Sequence, residues 1–169
     1  VVSGSTDTYA TSDVVANAAL DIQIMAQSER NSPSPFNMTY TFRVPVGQYV
    51  VTMYFAELYK TGINQRLFDV VVDGVTVASN FDIIAVSTGH DTMTTLDANV
   101  IATTSRTFNI TFVQTKNRPL INGITVERLL FPATTTSTST STSTSTSTDT
   151  YTYTDTYTPT HPPSTHLLV

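Results

Sequence analysis

The chain has 169 residues, a formal net charge of −5 and no cysteine. This length fits one domain of moderate size, and the lack of cysteine excludes disulfide bonds and thiolate chemistry. The eight Lys and Arg residues form no cluster in the sequence, which argues against nucleic acid as a partner. No apolar run is long enough to span a bilayer.

The N-terminal part begins with Val1 rather than Met, and no signal-peptide pattern follows it. We therefore expect that an N-terminal segment has been removed and that the protein is secreted or displayed at a cell surface. No strand is predicted near Val1. One short helix is predicted within Asp13–Gln27, with Asp13 as its N-cap.

Five later segments have the composition of β-strands. They are rich in Val, Ile, Thr, Tyr and Phe and show period-two alternation. The segments are Thr39–Val46, Gln48–Leu58, Arg66–Ser79, Arg106–Thr115 and Leu120–Phe131. In the second segment, one face carries Tyr49, Val51, Met53 and Phe55.

A two-residue turn divides the third segment. Asp73-Gly74 lies between two apolar runs and suits a turn in which both central residues have positive φ. We therefore predict a β-hairpin there. Short strands joined by turn residues, with little helical periodicity, predict an all-β sandwich or barrel.

A sharp change of composition follows Pro132. From Ala133 to Val169 the chain contains 16 Thr, 7 Ser and no Lys or Arg. We predict a folded domain over residues 1–132 and an extended tail over 133–169. Ser/Thr tracts with Pro are typical of O-glycosylated stalks. The predicted acceptors are Thr136, Ser137, Thr138, Ser139, Thr140, Ser141, Thr142, Ser143, Thr144, Ser145, Thr146, Ser147, Thr148, Thr150, Thr152, Thr154, Thr156 and Thr158.

The end of this tail alternates Thr with Asp or Tyr. An extended strand would place the threonines on one face and the Asp and Tyr side chains on the other. The second face, with the apolar C-terminus, is predicted to contact neighbouring copies of the chain, whereas a flexible linker is the alternative. The predicted contact residues are Tyr151, Tyr153, Tyr157, Leu167, Leu168 and Val169.

Two N-glycosylation acceptors are predicted at Asn37 and Asn109. Asn37-Met38-Thr39 and Asn109-Ile110-Thr111 both satisfy the acceptor rule. Asn109 alternates with apolar residues in its strand and is expected on the solvent face.

Four blocks of sequence resemble the malectin and malectin-like domain family. They are Gly47–Tyr59, Gln65–Ile83, Thr88–His90 and Arg118–Glu127. The resemblance implies an antiparallel, jelly-roll-like β-sandwich that binds carbohydrate in a cleft between loops and has no enzymatic activity. By this resemblance, the carbohydrate-binding residues would be Tyr59, His90 and Asn117.

The sequence departs from the family pattern at several of these positions. Asn117 replaces an acidic residue, and three positions lack the aromatic side chain of the pattern, namely Ala26, Asn31 and Lys60. Aromatic rings supply the stacking surface for sugars. The resemblance with these changes therefore implies a reduced sugar-binding surface.

Catalytic and metal sites are not predicted. Glu57 and Asp69 could form a carboxylate pair, but no base, nucleophile or metal ligand accompanies them. His161 and His166 alone are too few for a metal site. No cofactor is expected, apart from covalent glycans.

Two functions remain after these exclusions. The first is a structural subunit of an extracellular assembly or filament, in which the glycosylated tail contacts other copies. The alternative is a carbohydrate-binding module with a glycosylated linker. The shortage of aromatic side chains favours the first, and the family resemblance favours the second.

Overall fold

The protein is described here by a computed structural model that covers residues 2–3, 7–32, 37–104 and 107–130. The predicted domain boundary at residue 132 and all predicted sites in the tail lie outside these residues. The elements are β1 (Val2–Ser3), β2 (Asp7–Ala10), a 3-10 turn (Leu20–Ile22), α1 (Gln23–Ala26), β3 (Ser28–Asn31), β4 (Met38–Arg43), β5 (Gly47–Ala56), β6 (Leu67–Val72), β7 (Val75–Phe81), α2 (Ile83–Ser87), β8 (Met93–Ala102), β9 (Thr107–Lys116), β10 (Leu120–Ile121) and β11 (Gly123–Leu129).

The strands form three antiparallel sheets. One sheet has the order β1-β4-β9-β6-β7, a second has the order β11-β5-β8, and a small third sheet has the order β10-β3-β2. The first two sheets share a core, in which the Phe55 ring of β5 lies 6.0 Å from Phe68, 4.9 Å from Phe81 and 6.0 Å from Phe112 between centroids. The predicted antiparallel β-sandwich is confirmed.

Apolar side chains at alternate positions of the strands pack into this core, as the sequence indicates. Tyr49, Val51, Met53 and Phe55 are all buried, because successive side chains of a strand point to opposite faces of the sheet. Burial of such a side chain stabilises the fold by about 1.5–3 kcal/mol. The predicted face of β5 is therefore confirmed.

The hairpin between β6 and β7 is also confirmed. Asp73 has a φ of 48° and Gly74 a φ of 83°, so both turn residues adopt the left-handed conformation that this turn requires. The Gly74 conformation favours glycine because a Cβ at positive φ is strained.

Two predictions about the N-terminal part are wrong. A strand does open the chain, since Val2 and Ser3 of β1 pair with β4. A short helix does lie within the predicted range, as α1, but the residues that precede it have no side-chain cap. Asp13 does not cap it, because Asp13 lies in a loop where its carbonyl accepts a hydrogen bond from the Gln27 side chain at 2.9 Å. Within the described ranges, no helix has the length and apolarity needed to cross a membrane.

The two ends of the sandwich carry different parts of the chain. Leu129 pairs with Gln48 at the beginning of β5, so the last described strand finishes at that end. At the other end, beyond Ala56, lie the loop that follows β5 and the loop that joins β9 to β10. These loops and the small third sheet surround a cleft.

Candidate functional site

The cleft has a volume of about 450 Å³ and lies beside the small third sheet. Strands β2 and β3, the loop after β5, the residue before β6 and the loop after β9 each contribute to its wall. The lining residues are Asp7, Thr8, Tyr9, Glu29, Asn31, Tyr59, Lys60, Arg66, Asn117 and Arg118.

The small sheet is attached to the sandwich through the side chain of Asn122, which is 5% exposed. Asn122 Nδ2 donates to the Ala26 carbonyl at 3.1 Å and to the Ser28 carbonyl at 2.9 Å, and its Oδ1 accepts from the Ala56 amide at 2.6 Å. This buried amide therefore fixes α1 and β3 against the end of β5. It sets the position of Glu29, the next residue of β3 after Ser28.

Two tyrosines form the aromatic part of the cleft. The rings of Tyr9 and Tyr59 meet edge to face, with centroids 6.0 Å apart and planes at 75°. They are 41% and 63% exposed, so each presents ring surface to solvent. The Lys60 ammonium lies 4.8 Å from the centre of the Tyr59 ring, which is within range of a cation–π contact.

A buried ion pair supports the loop that holds Tyr59. Arg66 Nε lies 2.5 Å from Glu57 Oε2, and Arg66 Nη2 donates to Glu57 Oε1 at 3.1 Å. Glu57 Oε1 also accepts from the amides of Tyr59 at 3.2 Å and Lys60 at 2.8 Å. Arg66 Nη1 donates to the Arg118 carbonyl. One ion pair therefore connects the two loops on either side of the cleft.

Glu29 is the second carboxyl group at this arginine, and it is only 3% exposed. Its Oε1 lies 4.0 Å from Arg66 Nη2 and accepts from Asn31 Nδ2 at 3.1 Å. Among the described residues, no hydrogen bond of normal geometry reaches its Oε2. Burial raises the pKa of Glu29 to about 7, because the Arg66 charge offsets desolvation only in part and the charge of Glu57 adds to the rise.

The outer rim of the cleft is closed by a surface ion pair. Arg118 Nη1 lies 2.7 Å from Asp7 Oδ2, and the two side chains are 40% and 58% exposed. The neighbouring Asn117 has a φ of 65° and accepts the Arg118 amide on its own Oδ1 at 2.9 Å. Its Nδ2 is therefore left for other acceptors on this side of the cleft.

A family model, the malectin domain, matches residues 3–124 of this chain. The chain belongs to the malectin domain family. Malectin-B of Xenopus laevis is 35% identical over 75 residues, which is 41% of this chain and 26% of that protein. Malectin of Mus musculus is 37% identical over 75 residues, or 41% of this chain and 24% of that protein. The matched part thus spans about a quarter of the length of these curated relatives.

Solved structures share the malectin domain fold. The ANXUR2 extracellular domain of Arabidopsis thaliana has a TM-score of 0.63 at 15% identity, over 73% of this chain and 38% of that one. Bacteroides uniformis β-glucuronidase 2 has a TM-score of 0.61 at 16% identity, over 75% of this chain and 14% of that one. At these identities the likeness shows the fold alone.

In this malectin domain, the three residues expected to bind carbohydrate do not all reach the cleft. Tyr59 and Asn117 line it, but His90 is not among the lining residues. His90 Nδ1 donates to the Lys60 carbonyl at 2.9 Å, and its Nε2 lies 3.0 Å from Asp91 Oδ2. His90 therefore stabilises the main chain of the loop after β5 at Lys60. The binding roles of Tyr59, His90 and Asn117 stay predictions.

The cleft of the malectin domain also contains residues that the sequence did not reveal. Tyr9 lies on β2 opposite Glu29 of β3, and a four-residue strand is too short to show a periodic signal.

The carboxylate pair considered for Glu57 and Asp69 does not form. Glu57 binds Arg66, and Asp69 Oδ1 accepts a hydrogen bond from the Asn80 amide at 2.7 Å. No three His, Asp or Glu side chains in the described part converge as a metal site.

Proposed function

We propose that this domain binds carbohydrate in the cleft and acts by binding rather than by catalysis. The observation that supports this most directly is the Tyr9 and Tyr59 pair, whose exposed faces lie beside amide, carboxyl and guanidinium groups. Apolar faces of sugar rings stack on aromatic rings, and planar polar groups hydrogen-bond their hydroxyls. Tyr9 adds stacking surface to that of Tyr59, so the reduced surface expected from Lys60 and Asn31 is compensated in part.

The acidic groups of the cleft fit a binding role better than a catalytic one. Glu57 is 1% exposed and is occupied by Arg66 and by two backbone amides. Glycoside hydrolysis normally needs two carboxyl groups that face the scissile bond. Asp7 and Glu29 are the two carboxyl groups that line the cleft, but Asp7 pairs with Arg118 at 2.7 Å and Glu29 is only 3% exposed.

The setting that we propose is extracellular or at a cell surface. One of the similar folds is the extracellular domain of a plant protein, and the two predicted N-glycosylation acceptors, Asn37 and Asn109, are exposed. Their occupancy stays a prediction. A role in a filament or another assembly of copies is also a proposal, and it rests on the tail sequence beyond the described residues.

A saccharide titration tests the binding proposal. We expect Tyr9→Ala and Tyr59→Ala each to weaken binding of an oligosaccharide about tenfold, which corresponds to about 1.4 kcal/mol of lost stacking. The measurement is calorimetry or NMR titration against a panel of neutral and acidic oligosaccharides. Val75→Ala, at an exposed position of the hairpin, is the matched control and should bind like the unmodified protein. Equal affinity for all three variants would show that the cleft is not the binding site.

A further inference from the structure

Three of the eight Lys and Arg residues of the chain, namely Lys60, Arg66 and Arg118, line this one cleft. Arg66 is neutralised by Glu57, and Arg118 by Asp7. Lys60 is different. Among the described residues, no carboxylate lies within ion-pair distance of its ammonium, which instead contacts the Tyr59 ring.

The main chain holds Lys60 in place from both sides. Its amide donates to Glu57 Oε1 at 2.8 Å, and its carbonyl accepts from His90 Nδ1 at 2.9 Å. The side chain therefore starts from a main chain that is held at the cleft wall, while its ammonium keeps three hydrogen-bond donors. Main-chain ordering then adds little to the cost of binding an anion, although the side chain itself still loses rotamer freedom.

We propose that the saccharide bound in this cleft is acidic and that Lys60 binds its anionic group. The proposal rests on the carbohydrate-binding function above and specifies its ligand class. A sugar ring against Tyr59 places a substituent of that ring close to the ammonium, which lies 4.8 Å from the centre of the same aromatic ring. A carboxylate or a sulfate ester would satisfy the ammonium, with charge-assisted hydrogen bonds that a neutral hydroxyl cannot equal.

Two acidic side chains of the cleft do not prevent this. The charge of Asp7 is balanced by Arg118 at 2.7 Å. Glu29 lies 4.0 Å from Arg66, which already pairs with Glu57. Burial raises the pKa of Glu29 to about 7, so this carboxyl group carries little charge below that pH. Among the described residues, Lys60 is therefore the one cation of the cleft wall without a carboxylate partner.

The test compares oligosaccharides of equal length that differ in charge. The probes are a glucose trisaccharide, the same trisaccharide with one glucuronic acid residue, and the same trisaccharide with one 6-sulfate. We expect at least one acidic probe to bind about tenfold tighter than the neutral one at low salt, which corresponds to about 1.4 kcal/mol. Which of the two acidic probes binds tighter identifies the anionic group. The preference should fall as salt is raised.

Variants at two lysines show whether Lys60 causes the preference for acidic probes. Lys60→Met should bring the ratio of acidic to neutral affinity close to one, even if the affinity for the neutral probe also changes, whereas Lys60→Arg should keep the ratio. Lys116→Met is the matched control, because Lys116 is exposed and does not line the cleft. An unchanged preference in Lys60→Met, or equal affinity for all three probes, would overturn the proposal and leave carbohydrate binding intact. No binding of any probe would instead refute the binding function itself.

Discussion

Glu29 and Glu57 are two buried carboxyl groups that share one arginine. Arg66 contacts both oxygens of Glu57 and reaches Glu29 only at 4.0 Å. Glu57 is therefore held in a tight pair, whereas burial raises the pKa of Glu29 to about 7. A carboxyl group that lines the cleft thus changes between hydrogen-bond donor and acceptor near neutral pH.

The titration of Glu29 should be visible in the stability of the fold. Its pKa in the folded protein, about 7, lies above the ordinary value of 4.5. Between these values the folded state binds more protons than the unfolded state, so stability falls as the pH rises through this window. We expect Glu29→Gln to remove this dependence, which amounts to at most about 3 kcal/mol. The measurement is the free energy of unfolding in urea at several values from pH 4.5 to pH 8.

The charged neighbours of Glu29 stay in place in that variant, so the difference between the two proteins isolates one group. They are Asp7, Glu57, Lys60, Arg66 and Arg118. Glu127→Gln, at an exposed position of β11, is the matched control and should follow the unmodified protein. If Glu29→Gln retained the full loss of stability with rising pH, the raised pKa of Glu29 would be wrong.

At the scale of elements, Asn122 connects the small sheet to the sandwich. Its amide makes three hydrogen bonds to backbone groups of α1, β3 and β5. Asn122→Ala would leave these backbone groups buried without partners, and we expect a loss of about 3 kcal/mol of unfolding free energy. Denaturant unfolding measures it. Asn99→Ala, at an exposed position of β8, should change stability by less than about 0.5 kcal/mol.

The longer alternating strands and the hairpin could be predicted because each is encoded within a few neighbouring residues. Strand β8 was not predicted, since Asp97 and Asn99 interrupt its composition with residue types that strands disfavour. They are tolerated because both side chains are exposed. The buried contact of Glu29 with Arg66 joins residues far apart in sequence, and no local pattern encodes it. Tyr9 was missed for the same reason, because only the pairing of β2 with β3 brings it to the cleft.

At the scale of the whole molecule, the cleft and the last described residues lie at opposite ends of β5. This strand pairs with β11 at Gln48 and continues to Ala56, beside the cleft. A ten-residue strand extends over about 30 Å. The end of β11 therefore lies about 30 Å from the cleft, too far for a direct contact.

Deletion of Ala133–Val169 tests this separation together with the assembly role. We expect the shortened chain to fold and to bind saccharide with unchanged affinity, because every core residue described here precedes residue 131. If the tail links copies, the shortened chain will sediment as a monomer, whereas the full chain will form larger species. Assembly that survives the deletion would rule out a linking role for the tail. Sedimentation velocity and the saccharide titration give the two measurements.

The cleft and the end of β11 lie at opposite ends of β5. This placement has a consequence when many copies are held on one surface. If they are attached at the end of β11, every cleft faces outward, away from the attachment. Neighbouring copies could then bind one long polysaccharide at several points, and the second contact would form at a high effective concentration. A layer of individually weak sites would in this way hold a polymer that a single dissolved domain releases.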